Sequence, residues 1–493
     1  MGDLVVAVDC STTASKAVVF DPAGRAIALG RSPIHMSQPS PGRHEQDPEN
    51  WWHATCEALR SALSGVDPER ISGLCVTTQR ETFVCVDDAG APVYPGIVWM
   101  DSRARNIVAE LGSPRVHQLS GRPADNTPSL YKIAWLLRHQ PDEMARVRWF
   151  GDVSALLHHR LTGRWASSHA SADSMGLFDM TQLTWSAELL SMIGLDITAL
   201  PEVIAPGAAI GSITAEASAM TGLRAGTPVI AGAGDGQCAA LGAGAQNPDA
   251  LYLNMGTAVV CGLSATDYSW DVAYRTVASA DGHGYLLEAF TSSGTYLLNW
   301  FRDQFGTKVT APGYTEGDVA AAAAELQPGA DGLLALPHWN AAQTPYWDAR
   351  ARGALVGLTG GHGKPHIYRA ILEGIGFEIK LQTDGLAAVG PPIEHVFVTG
   401  GGTRSPAWMQ ILSDILERPL TLCGEQETTA LGAAMIAAVA TGIHPSLNAA
   451  RTSMVRYGAT ITPGTADYRR LWPIYRELYP RLKESMHLLS DLS

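Results

Sequence analysis

Two stretches of this chain share one pattern, and that pattern limits the architectures open to it. Val5–Phe20 reads VVAVDCSTTASKAVVF: an apolar strand, a bend of small hydroxyl and thiol residues, and a second apolar strand. Ala250–Ser264 reads ALYLNMGTAVVCGLS, with the same strand, small polar bend and strand. Short strands with near-continuous apolar runs belong in a sheet that is covered by other elements. Two such units about half a chain apart predict a duplicated α/β architecture with a cleft between the halves. Two unrelated domains that merely share a hairpin are the plainer alternative.

The intervening sequence supports mixed α/β layering. Asp47, Pro48 and Glu49 open a helix to about Ser64, because proline and acidic residues suit a first turn whose N–H groups are unpaired. ISGLCVTTQ reads as a buried strand, and TFVCVDDAGAPVYP as a hairpin turning at Asp87–Gly90. Helical periodicity returns near Leu130–Arg138 and Ser154–Leu161. In the second half, helices are expected at Ile367–Val389 and Pro406–Leu416. TTALGAAMIAAVATG reads as an alanine-rich buried helix ending at Gly442. A last helical segment, Ile474–Leu489, is expected to be interrupted by Pro480.

Composition excludes several classes. The 493 residues allow about three average domains or two large ones. No apolar run reaches the ~18 residues that span a bilayer. Asp3 stands where a signal peptide would be basic. The seven cysteines lack CxxC spacing and read as reduced core thiols of a cytoplasmic protein. A formal charge of −13 without a basic cluster argues against a nucleic-acid partner.

Glycine, serine and threonine in a tight bend leave backbone N–H groups convergent, and such nests bind phosphate oxygens. Lys16 adds a cation to the first bend. Asp9 cannot face phosphate directly without repulsion, but a hydrated Mg²⁺ between them removes the conflict. These bends precede strands, so neither is a Walker A loop. TGGHGKP looks similar, but Leu358 and Pro365 occupy its required positions. In VIAGAGDGQCAALGAG, Asp235 sits between Gly234 and Gly236 at a strand-to-helix junction. It is either a helix N-cap or a general base in a cleft. His158–His159 and His362–His366 lack metal-site companions, and Trp51–Trp52 reads as helix packing.

From about Leu4 to Gly442 the chain resembles the FGGY carbohydrate kinases. The stretches that carry the likeness are DCSTTASKAVVFD, RHEQDPENWW, TTQRETFVCVDDAGAPVYPGIVWMDSRA, GAGDGQCAALGAG, NMGTAVV, TPYWDARARGALVGLTGGHGKPHIYRAILEGI and VTGGGTRSPAWMQILSDILERPLTL…TTALGAA. The resemblance implies a two-domain actin-like ATPase (ribonuclease H-like) fold with an interdomain cleft. It divides the chain into residues 1–245, on the sugar and phosphate side, and 246–493, on the nucleotide side. It implies ATP- and Mg²⁺-dependent phosphorylation of a hydroxyl on a small sugar or polyol. Asp235 then matches the general base, and Asp9 with Asp235 would hold Mg²⁺ through water. Thr12, Thr13, Lys16, Gly256 and Thr257 would steady the phosphates. Gly401, Gly402 and Ser405 would contact the adenine nucleotide. The chain departs from the pattern at Ser11, where many relatives have glycine. Ala341–Ala342–Gln343 also replaces a glycine-containing nucleotide loop.

QRET (Gln79–Thr82) is the version seen in glycerol kinases, whereas xylulokinases usually carry a Met-His pair there. The likeness therefore implies that Arg80 and Glu81 bind acceptor hydroxyls and that Trp99 covers the carbon face. Two aromatic positions of the glycerol pocket align with Thr127 and Val260. Losing two aromatics, on the order of 150–250 Å² each, enlarges the pocket toward a four- or five-carbon polyol or ketose. The adjacent Asp125 and Asn126 are the alternative to Thr127 as sugar contacts. Glycerol kinase or xylulokinase activity proper is the alternative. An actin-like chaperone or sensor ATPase is the alternative from another class; QRET, DPENWW and GIVWMDSRA argue against the chaperone, which needs no sugar cleft, and leave a sugar sensor without turnover open. A homodimer fits the resemblance, although no stretch identifies an interface.

Overall fold

The computed structural model describes residues 2–305, 316–425 and 427–492. Strand Leu4–Cys10 is buried along its whole length, as its unbroken apolar run requires. It pairs antiparallel with Ala14–Phe20 through the Ser11–Thr13 bend, and Ala14–Phe20 pairs antiparallel with Ala26–Pro33. On its other side lie Ile71–Thr78 and then Pro228–Ile230, both running parallel. The second half repeats this order. Ala250–Met255 pairs antiparallel with Val259–Ala265, which pairs antiparallel with Tyr285–Thr291. His395–Thr399 and Leu420–Cys423 follow in parallel on the far side. The two bends are thus the first turns of two copies of one topology. This is the two-domain actin-like ATPase fold, with a cleft between the domains.

Each copy is extended. Ala209–Ser212 adds an antiparallel edge to the first sheet. Tyr457–Ile461 and Arg275–Ala278 close the two edges of the second. A separate four-stranded sheet joins Glu45–Gln46, Pro92–Ile97, Phe83–Val86 and Trp149–Asp152. The expected hairpin at Asp87–Gly90 forms its centre, but its two outer strands carry no clear sequence signal. Helix Pro48–Leu63 starts where DPEN places it, with the Asp47 side chain accepting from the Glu49 N–H at 3.0 Å.

One expectation is corrected. Pro480 does not interrupt the last helix, which runs unbroken over Trp472–Ser490. Packing on one face outweighs the lost N–H: Tyr475, Tyr479 and Met486 are buried, and the Tyr475 hydroxyl donates to Glu378 at 2.7 Å. No helix among the described residues is long and apolar enough to cross a membrane.

The domains meet where helix Asp235–Gly242 crosses helix Thr428–Ala440. The contact is backbone on backbone. A Cβ at Gly242 would lie 1.9 Å from the Thr428 carbonyl oxygen, and one at Gly432 would lie 1.9 Å from that of Cys238. Neither neighbour is a side chain that can rotate away, so the alanine- and glycine-rich sequences are what this crossing demands. Gly432→Val is expected to cost at least ~3 kcal/mol, at or beyond the upper end of overpacking penalties. Chemical denaturation followed by tryptophan fluorescence checks this.

Candidate active site

Five strand ends deliver the site. Leu4–Cys10, Ile71–Thr78, Pro228–Ile230, Ala250–Met255 and His395–Thr399 lead, at their carboxyl ends, into the first bend, QRET, GAGDG, the second bend and the triple-glycine turn. Carboxyl ends of parallel strands are where open α/β sheets place ligands. Asp9 lies opposite Thr77 in the first sheet, and Thr78 bridges to Gly234. Asp9 and Asp235 therefore flank one strand from either side, about two strand spacings apart at ~5 Å each.

Asp9 is 8% exposed, and its Oδ1 has no hydrogen-bond partner among the described residues. Burial, followed by the Asp235 charge, pushes its carboxyl up to about 7, with Lys16 opposing the shift. Asp235 is not a helix N-cap, because Gly234 holds that position and Asp235 is the first helical residue. Its Oδ1 accepts from the Gly236 N–H at 2.7 Å and from Arg80 Nε at 2.9 Å. No described hydrogen bond engages Oδ2. The side chain is partly withdrawn from water, 39% accessible. That desolvation raises its pKa, and Arg80 pulls in the opposite direction.

The bends have the character of anion nests. Ser11 closes the first, its N–H and hydroxyl both reaching the Ala14 carbonyl, at 2.9 and 2.8 Å. The N–H groups of Thr12, Thr13, Gly256 and Thr257 have no described hydrogen bond. The second bend is pinned from behind, with Gly256 O accepting from Thr295 N at 2.8 Å and Thr257 O from Gly294 N at 3.0 Å. The Thr12 hydroxyl is already engaged: it donates to Gln79 at 3.1 Å and accepts from Trp99 Nε1 at 3.1 Å. Lys16 is also engaged, with Nζ 2.9 and 2.7 Å from the two oxygens of Glu427, across the cleft. A side chain at Gly401 would meet nothing, whereas Gly402 packs on Met255 and Trp408. Ser405 caps helix Pro406–Leu416, its hydroxyl accepting from the Trp408 N–H at 3.3 Å.

Arg80 and Glu81 are buried within a charge network that sequence reading did not find. Glu81 has a left-handed backbone, φ 57°, rare for a non-glycine residue. Its Oε1 accepts from Arg122 Nη1 at 2.5 Å and Arg275 Nη1 at 3.0 Å. Arg80 Nη1 donates to Glu288 Oε2 at 3.0 Å. Burial works against the Glu288 carboxylate, but Arg275 and Arg80 outweigh it and hold its pKa down to about 2. Trp99 is half-buried and ties this side to the Ser11–Thr13 bend. Thr127 is turned onto Asp125, which takes its N–H and its hydroxyl at 2.7 Å each. Asn126 Oδ1 is buried without a partner among the described residues, and Val260 is half-buried in its strand. A charged pair facing across an otherwise apolar hairpin, Arg275 opposite Glu288, was the one available signal for the missed residues. Arg122 and Glu427 gave none.

Known proteins resemble this chain over nearly its whole length. The model of the FGGY family of carbohydrate kinases matches in two parts, its N-terminal domain over residues 4–242 and its C-terminal domain over residues 251–441. A xylulose kinase of Lactococcus lactis subsp. lactis is 28% identical over 99% of this chain and 99% of that protein. A glycerol kinase of Thermococcus gammatolerans is 30% identical over 98% of this chain and 97% of that protein. The crystal structure of ligand-bound xylulose kinase from Lactobacillus acidophilus superposes with a TM-score of 0.93 at 26% identity, covering 99% of both chains.

Proposed function

Because the chain belongs to the FGGY family of carbohydrate kinases, we propose that it transfers the γ-phosphoryl group of ATP to a hydroxyl of a four- or five-carbon polyol or ketose, with Asp235 as general base. The observation that carries this reading is the Asp235 carboxylate, with one oxygen fixed by Arg80 and Gly236 and the other unengaged in the cleft. A general base needs that combination of fixed orientation and an open acceptor atom. Phosphoryl transfer otherwise asks mainly for positioning and charge neutralisation. The free N–H groups of Thr12, Thr13, Gly256 and Thr257 suit phosphate oxygens. Gly401, Gly402 and Ser405 are assigned to the nucleotide side, within residues 246–493. Residues 1–245 then carry the acceptor and phosphate side.

The residues present fit a divalent cation. Asp9 is a buried carboxylate with an orphaned oxygen and a raised pKa, which is what a carboxylate awaiting a cation looks like. Asp9, with Asp235 nearby, would hold Mg²⁺ through water, and the ion when bound neutralises phosphate charge. Lys16 must then leave Glu427 to reach a phosphate. Arg80, Glu81 and Trp99 are assigned to the acceptor.

A coupled ADP-release assay over three- to six-carbon polyols and ketoses tests the reading. The highest kcat/KM is expected on a four- or five-carbon acceptor. Glycerol as the best substrate would refute the enlarged pocket that Thr127 and Val260 suggest. Hydrolysis of ATP at one rate with or without any acceptor would instead favour a chaperone-type ATPase, and acceptor binding without turnover a sensor.

A further inference from the structure

Glu81 sits in a backbone conformation that costs energy for any residue but glycine. Such a residue keeps its place only when its surroundings hold it there. Arg122, from its own domain, supplies one contact to Oε1, and Arg275, from the opposite domain, supplies the second. No described hydrogen bond occupies Oε2, which leaves one oxygen of a doubly held carboxylate unengaged.

Arg275 is itself fixed. Its Nε and Nη2 lie 2.6 and 2.5 Å from Glu288 Oε2, and its guanidinium lies over the Phe290 ring, 4.6 Å from the centroid. Glu288 is 0% exposed and also takes Arg80 Nη1, whose other side holds Asp235. Arg275 and Glu288 are direct cross-strand partners, so the clamp stands on a β-ladder and not on a loop. The same hairpin docks on the first domain through further bonds, among them one from the Tyr285 hydroxyl to Met180 O at 2.8 Å. Thr276 N donates to Gly121 O, and Ala278 N donates to Asp173 Oδ2, both at 2.8 Å. None of these residues has a described hydrogen bond or ion pair to Asp9, Lys16 or either bend.

We propose that Arg275 and Glu288 are positioning residues for acceptor recognition: from the second domain they hold Glu81 and Arg80 in register, so the acceptor site is complete only when the two domains are together. This rests on the reading of Arg80 and Glu81 as acceptor contacts. It makes the second domain a determinant of acceptor affinity, beyond its part in binding the nucleotide. It also links domain closure to the acceptor, because the clamp spans the cleft at the acceptor and not at the phosphates.

The test is steady-state kinetics of Arg275→Met and Glu288→Gln with the best acceptor of the panel. The acceptor KM is expected to rise roughly 10- to 100-fold, the worth of a lost charge-assisted hydrogen bond. The KM for ATP should stay within about twofold. Arg275→Lys should recover part of the loss, since it keeps the charge but not the rigid fork, and it serves as the test variant should Arg275→Met not fold. An unchanged acceptor KM, or acceptor and ATP KM rising together, overturns the proposal. If the unmodified enzyme phosphorylates no acceptor, the functional reading fails. The positioning claim is then judged by the crystal structure of Arg275→Met (or of Arg275→Lys): a displaced Glu81 carboxylate upholds it, and an unmoved one ends it.

Discussion

Asp235→Asn is expected to lower kcat by about 10²–10⁴ while leaving ATP binding largely intact, the signature of losing a positioned base. Asparagine has the same shape. Its amide oxygen can accept from the Gly236 N–H and Arg80 Nε as the carboxylate does at 2.7 and 2.9 Å. What disappears is the capacity to take a proton. Steady-state turnover, together with calorimetric titration of ATP, separates the two effects. An asparagine enzyme with full turnover would remove Asp235 from the chemistry. The pH dependence has a definite sign. A carboxylate base works only when ionised, and burial raises the Asp235 pKa, so with Asp235 in that role kcat/KM should fall on the acid side sooner than for an ordinary exposed carboxylate.

Asp235 also shows which part of the site the sequence could reveal. Its flanking glycines and strand-to-helix junction are local features, so they stand out in a short window. The same holds for the two bends and for QRET. The junction alone left an N-cap role open, and only the backbone geometry, with Gly234 in that position, removes it. Partners far apart in the chain are another matter. Arg275 and Glu288 lie 194 and 208 positions from Glu81 and Arg80, and Glu427 lies 411 from Lys16. No periodicity announces such pairs, because they depend on how two sheets face each other. Pro480 misled for a related reason: a local rule about proline was outweighed by tyrosines packing across the helix. Topological duplication was legible because strand, bend and strand recur in both halves, and the hairpin registers follow from that repetition.

Asp9→Asn is expected to abolish most turnover and, at the same time, to make the nucleotide-free protein more stable. Turnover should fall at least about 10²-fold, as when one preorganised electrostatic group is removed from a phosphoryl-transfer site. The stability gain follows from proton linkage. Asp9 moves from an ordinary value of 3.8 to about 7 on folding, because burial and the Asp235 charge disfavour its ionised form. Between those values the folded state binds a proton that the unfolded state does not, so stability falls as pH rises through this window. Above pH 7 the full penalty applies, of order 4 kcal/mol at most. Asparagine carries no such penalty. The variant should therefore melt higher than the unmodified protein at pH 8, and the difference should vanish near pH 4. Mg²⁺ should raise the melting temperature of the unmodified protein at pH 8 and leave that of the variant nearly unchanged, since a cation that binds only the folded state stabilises it by mass action. Thermal melts across pH, with and without Mg²⁺, measure all three differences. A variant less stable than the parent at pH 8 would mean that Asp9 is a structural residue whose lost oxygen contacts matter more than its charge. A carboxylate whose ionisation weakens the folded protein until a cation offsets its charge suits a metal-dependent phosphoryl transfer. Stability and activity are therefore expected to move in opposite directions at this one position.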